Sequence, residues 1–265
     1  MKKAFYFFTT CIVLMFFAFG FQSFENVKQA QQTPKTKSFD LAENVKIKMI
    51  WVAPGTFKMG SPDDELGRTG AREKQHKVTI SEGYWLAETE LTQRQWEKIM
   101  EHNPSFNKGD NLPVDQVSYK DIQQFLTKIN SKGGRFRLPT EAEWEYACRA
   151  DSEKPYATEH KDNMVWHIGN SGRQSHPVAQ KRANAWGFYD MQGNILEWCS
   201  DWFQEDYSND NLDPKGPDKG MYRVQRGGQF TGRTKHTRAA DRQRALPEAR
   251  DFFVGFRLAH STLEN

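Results

Sequence analysis

The sequence predicts one compact α+β domain with its helices placed early and an irregular second half. Three observations carry this. Apolar residues alternate where folding begins, three helix-start signals follow, and beyond Ala150 short aromatic bursts are broken by Gly, Asn, Asp and Pro. At 265 residues the chain can build a real core. It shows no internal repeat and no second domain boundary.

Lys2 and Lys3 precede the apolar run "AFYFFTTCIVLMFFAFGF". A basic start, an apolar stretch and a small, polar exit predict a secretory signal over residues 1–22. The run is also about long enough to span a bilayer, so an uncleaved anchor is the alternative. Cys11 lies too early for lipid attachment and leaves with the signal. Residues 23–44 are rich in Gln, Lys and Thr and read as a flexible tether. The folded domain is expected over residues 45–262.

Within it, "VKIKMIWVAPGTFKMGS" (45–61) reads as a hairpin about Pro54-Gly55. "PDDELGRTGAREKQ" is a charged loop, and "HKVTISEGYWLAETELT" resumes strand character. Thr92 with Gln95, Ser118 with Asp121 and Thr140 with Glu143 then mark three helix starts by the capping-box pattern, the second a weaker form with Asp. Behind the caps, Trp96 and Met100, then Ile122, Phe125, Leu126 and Ile129, then Trp144 and Ala147 recur at helical spacing as core faces. Residues 252–259, "FFVGFRLA", form a closing strand.

The net charge of +3 is an ordinary solvated surface and gives no case for nucleic acid. Export argues against it as well. After signal removal only Cys148 and Cys199 remain, too few for a disulfide framework. They read as two buried thiols beside aromatics, with mutual pairing the alternative.

"MIWVAPGTFKMGS", "RLPTEAEWEYACRA", "NAWGFYDMQGNILEWCSDW", "RVQRGGQF" and "GFRLA" occur in this order. Together they resemble the formylglycine-generating enzymes, or sulfatase-modifying factors, from Met49 to Ala259. The resemblance implies a C-type-lectin-like α+β fold with low regular secondary structure, small twisted antiparallel sheets and a few helices. It also implies a choice of activities. Copper enzymes of the family oxidise a sulfatase cysteine to formylglycine; relatives form sulfoxides with iron, or bind ligands without catalysis.

In the family the stretch matching "YDMQGNILEW" binds calcium. The resemblance assigns side-chain oxygens to Asp190 and Glu197 and carbonyls to Gly193 and Ile195, a donor set suited to a hard cation. Alternatively the two carboxylates satisfy backbone N–H groups in a tight turn. The family's second calcium loop matches residues 163–178, which are shortened, and it is not carried over.

The copper enzymes hold Cu(I) with two cysteines after the glycine pair, since a soft ion needs thiolates. Here the first falls on Gly232 and the second near residues 234–237. No cysteine follows Cys199. The resemblance therefore implies that copper and formylglycine generation are absent. Iron relatives use a His cluster, but His76, His102, His160, His167, His176, His236 and His260 are scattered with no His-x-x-x-His pair. A spatial set of His160, His167 and His236 stays open.

The loop wall that remains carries Gln229, Gly232, Arg233, Thr234, Lys235 and His236, donors suited to an anionic group on a ligand. Arg238 and Arg242 read instead as internal partners of carbonyls and carboxylates. The expectation is an exported protein, periplasmic, envelope-bound or secreted, whose C-terminal loop binds a peptide, protein or glycan. Membrane contact would come only through an uncleaved signal anchor. The alternative is an oxidase or tailoring enzyme acting on an exported protein, peptide or metabolite. A diversified C-terminal loop, as in some lectin-like relatives, is a further possibility.

Overall fold

A computed structural model describes residues 33–156, 161–207 and 211–261. The expected signal and the first part of the tether lie outside them. Among the described residues no helix is long and apolar enough to cross a membrane.

Why the chain builds two cores is legible in "VKIKMIWV", which forms β2 (Val45–Val52). Val45, Ile47 and Met49 point into one core while Lys46 and Lys48 stay exposed. Ile50 and Val52 point the other way, into a second core. The strand therefore starts one-sided and becomes buried on both faces. β5 (Tyr84–Ala87) repeats this, with Trp85 and Ala87 in the first core and Tyr84 and Leu86 in the second.

The central sheet has five strands in the order β1-β2-β5-β11-β6, with β1 at Thr36–Ala42, β6 at Phe136–Arg137 and β11 at Ala259–Ser261. β1 corrects the tether, because these residues fold. Phe39 and Leu41 alternate with polar side chains, and a two-residue turn at Glu43-Asn44 returns the chain onto β2, with Asn44 at φ +59°. Only Leu41 is fully buried, so the strand looks like polar linker in sequence. Its exposed Lys37 suits an open edge.

The expected hairpin at Pro54-Gly55 does not form. β3 (Gly55–Met59) leaves the central sheet and pairs with β4 (His76–Ile80) in a separate ribbon. The closing strand likewise divides: β10 (Val254–Gly255) runs parallel to β7 (Leu196–Trp202), and β11 joins the central sheet. β7, β8 (Arg223–Arg226), β9 (Gln243–Ala245) and β10 make a sheet ordered β10-β7-β8-β9. Its inner strand β7 is almost wholly buried and lacks a period-2 pattern, so the sequence does not announce it.

The helices follow their signals. α1 (Gln93–Met100), α2 (Tyr119–Asn130) and α3 (Glu141–Arg149) each begin with a complete reciprocal capping box, including the Ser118–Asp121 pair. α1 and α2 pack through Trp96 and Phe125, whose rings stack 5.2 Å apart. α3 is different: all nine residues are buried, three glutamates among them.

Candidate functional site

β8 delivers the chain to Gly227-Gly228. Gly228 has φ +76°, and a Cβ there would run into the His236 carbonyl. The glycine pair thus lets the loop close on itself. Phe230 is buried beneath it, donating its amide to the Asn194 carbonyl at 2.8 Å and accepting from Ser171 Oγ at 2.8 Å.

All six expected loop residues lie together above Phe230. Gln229 donates to Thr231 Oγ1 at 3.1 Å, and Gly232 bridges by accepting from the Ile168 amide at 3.0 Å. Thr234 opens a 3-10 turn, Thr234–Thr237, and its carbonyl accepts from Tyr156 Oη at 2.7 Å. His236 Nδ1 faces Asp241 at 3.5 Å without a hydrogen bond. Arg233 and Lys235 are exposed, and among the described residues neither side chain has a polar partner.

Arg238 and Arg242 turn inward, as their sequence reading holds. Arg238 grips Glu73 at 2.7 and 2.9 Å, Glu65 at 2.5 Å and the Gly67 carbonyl at 2.8 Å. Arg242 grips Glu141 at 2.7 and 2.8 Å. The loop over residues 62–75 is therefore not simply solvated: Glu65 and Glu73 are buried anchors. A charge run in sequence carries no sign of which members turn inward.

The stretch around Asp190 folds about buried charge. Gly193, at φ +110°, leaves no room for a Cβ against the Trp166 backbone. Asp190 accepts from the Ala179 amide at 2.7 Å through Oδ2, while Oδ1 is buried without a partner. Glu197, expected as a ligand, is held by Arg257 at 2.6 Å on both oxygens and by the Trp144 indole at 2.7 Å. Ile195 is buried behind them.

Glu90, which sequence reasoning passed over, joins this group. It accepts from Asn194 Nδ2 at 3.0 Å through Oε1, and its Oε2 has no partner. Burial, then the Asp190 charge, pushes its carboxyl well up; burial pushes Asp190 up to about 6. Three carboxylates face one guanidinium here, so ionisation leaves negative charge uncompensated in a dry place. That chemistry fits a hard cation at Asp190. It does not leave Glu197 free, since Arg257 already matches its charge. Among the described residues no three His, Cys, Asp or Glu side chains form a metal-binding group, so a cation would rely on backbone oxygens as well.

Cys148 and Cys199 are free and buried, which answers the pairing alternative. Burial pushes the Cys148 thiol up to about 12 and Cys199 well above its usual range, so neither is a ready thiolate. His167 pairs with Asp162 at 2.9 Å, and His176 stacks on Trp166 with ring centres 3.6 Å apart. His160 lies outside the described residues. A cleft of about 690 Å³ lies elsewhere, lined by Tyr119, Gln123, Arg137, Thr140, Ser200 and Lys215 among others.

Comparison with known proteins accounts for this architecture. The family model of the sulfatase-modifying factor enzyme 1-like domain matches residues 35–262. The formylglycine-generating enzyme of Mus musculus is 29% identical over 205 residues, covering 69% of this chain and 53% of the enzyme, so the chain spans about half of that relative. Treponema denticola variable protein 1 superposes with a TM-score of 0.77 at 28% identity, covering 86% of this chain and 99% of that one. PvdO from Pseudomonas aeruginosa gives a TM-score of 0.78 at 25% identity, with 85% and 98% covered. With the match running from β1 past β11, the chain belongs to the sulfatase-modifying factor family and has its C-type-lectin-like α+β fold.

Proposed function

We propose that the protein is an exported sulfatase-modifying-factor-like domain that binds a peptide, protein or glycan through its C-terminal loop, and that it does not generate formylglycine with copper. One observation carries this reading: no cysteine follows Cys199. A two-coordinate Cu(I) site needs soft sulfur donors, and the positions where the family resemblance expects them carry Gly232 and the Thr-Lys-His-Thr run 234–237. The two remaining buried thiols belong to other motifs. Arg233 and Lys235, exposed and uncommitted, supply donors for an anionic group.

The same reading includes a structural calcium at Asp190 with the carbonyls of Gly193 and Ile195, supported by the orphaned Asp190 oxygen and the nearby Glu90 carboxyl. Its test is metal analysis of protein purified without chelator, followed by oxygen uptake with a cysteine-containing peptide and added copper. The expected result is calcium without copper or iron, and no oxygen consumption. Stoichiometric Cu(I) with peptide-dependent oxygen uptake would overturn the proposal.

A further inference from the structure

The surface next to the C-terminal loop carries an aromatic row whose outer two rings are exposed. Phe106 is 66% exposed and Phe252 41% exposed, with ring centres 5.6 Å apart. Phe252 in turn meets Phe253 at 5.0 Å and Phe230 at 6.0 Å. Since Phe230 is the buried floor of the loop, the row runs from open solvent to the base of residues 229–236. Single exposed apolar side chains are ordinary, but two in ring contact, backed by further rings, form a patch.

Phe106 is also held in place. The buried Asp115 carboxylate accepts its amide at 2.8 Å, and Ser105 Oγ accepts the Asp115 amide at 3.0 Å. Gln93, buried on α1, donates to the carbonyls of Asn107 and Pro113 at 2.8 and 3.2 Å. It accepts from Asn103 Nδ2 and the Gly109 amide at 2.8 and 3.1 Å. A loop tied by buried polar groups displays its aromatic tip at little further entropic cost on binding, which is how anchor residues of interfaces behave.

Arg233 follows Phe230 by three positions, so the loop brings a cation to the inner end of the row, while Asp251 precedes Phe252 at its outer end. Arg233 and Lys235 are exposed and lack polar side-chain partners among the described residues, whereas Lys108, two positions from Phe106, donates to the Asn103 carbonyl at 2.6 Å. Resting on the reading of the loop as a ligand surface, we infer that the Phe106–Phe252 row and Arg233 form one docking surface for a peptide segment carrying an apolar anchor flanked by acidic residues. The anchor packs against the two exposed rings, and the carboxylates meet the Arg233 and Lys235 side chains.

The test pans a displayed library of random linear peptides against the immobilised full chain, then measures the selected peptides in solution. The expected consensus joins an aromatic or aliphatic residue to Asp or Glu. Binding should fall about tenfold or more, equivalent to about 1.4 kcal/mol, in Phe106→Ser and also in Arg233→Glu, with unchanged melting temperatures. Peptides lost with Arg233→Glu but indifferent to Phe106→Ser would overturn the docking surface and leave the loop reading standing. Peptides indifferent to both would sink the two together. A consensus without acidic residues, or no enrichment, overturns the inference. So does concentration-dependent dimerisation abolished by Phe106→Ser, which would assign the row to a second copy of the chain.

Discussion

The first and second halves of the domain are stabilised by different means. Around α1 and α2 the core is hydrocarbon: Trp96, Phe125, Phe256, Ile122 and Leu126 fill it, and capping boxes finish the helix ends. Around α3 and β8 the apolar cluster is threaded by buried ion pairs. Arg226 lies between Glu145 and Glu141, Arg149 joins Glu145 at 2.7 Å, and Arg242 takes both oxygens of Glu141. A hydrocarbon core tolerates small losses gradually. A buried ion pair fails abruptly, because removing one partner strands a charge.

The sharpest way to break this contrast is Glu145→Ala. Glu145 accepts from the Gly60 amide at 2.8 Å as well as from Arg149 and Arg226, so its loss uncouples β3 from α3 and leaves Arg226 half-paired. The expected cost is about 3–5 kcal/mol, read as a shift in the urea midpoint, whereas Ile122→Val in the other core should cost about 1 kcal/mol. Similar losses for the two would show that the halves are not built differently.

This contrast also decides what could be read in advance. Caps and core faces of α1 and α2 are local patterns, and each appears where its residues predict. The second half is specified by pairs distant in sequence, such as Arg242 with Glu141 or Arg257 with Glu197, for which no local pattern exists. β1 was missed because an edge strand with one buried residue resembles linker. Of the candidate site, the place of the loop residues after the glycine pair follows from the motif that contains them. Glu90 and Phe106 were not legible, since one sits in a strand-to-helix turn and the other in a polar loop, and neither follows a period.

pH sharpens the comparison further. Asp201 lies in the ionic half, where burial and then the Glu141 charge push its carboxyl up to about 7. The folded chain therefore keeps this proton after the unfolded chain, with an ordinary value near 4, has released it. In that interval the unfolded state binds fewer protons, so stability falls as pH rises from about 4 to about 7. Asp201→Asn fixes the neutral form and keeps an acceptor for the Glu141 amide, which donates to Asp201 at 2.9 Å. The difference in unfolding free energy between variant and parent should grow in favour of Asn across that window. A difference that stays flat in denaturation series at stepped pH would show that Asp201 titrates normally.

The smallest effect belongs to the caps. Ser118 accepts from the Asp121 amide at 3.2 Å, and Asp121 accepts the Ser118 amide at 2.9 Å while Arg250 holds it at 2.8 Å. Thr92 and Gln95 make the same exchange without an arginine. Ser118→Ala and Thr92→Ala should each cost about 1 kcal/mol by thermal or urea unfolding, because each removes one acceptor for an end-turn amide. The Arg250 contact is exposed and adds little. A loss at Ser118 several times larger than at Thr92 would mean that the surface arginine couples the α2 start to the C-terminal segment, carrying the ionic style of the second half into the first.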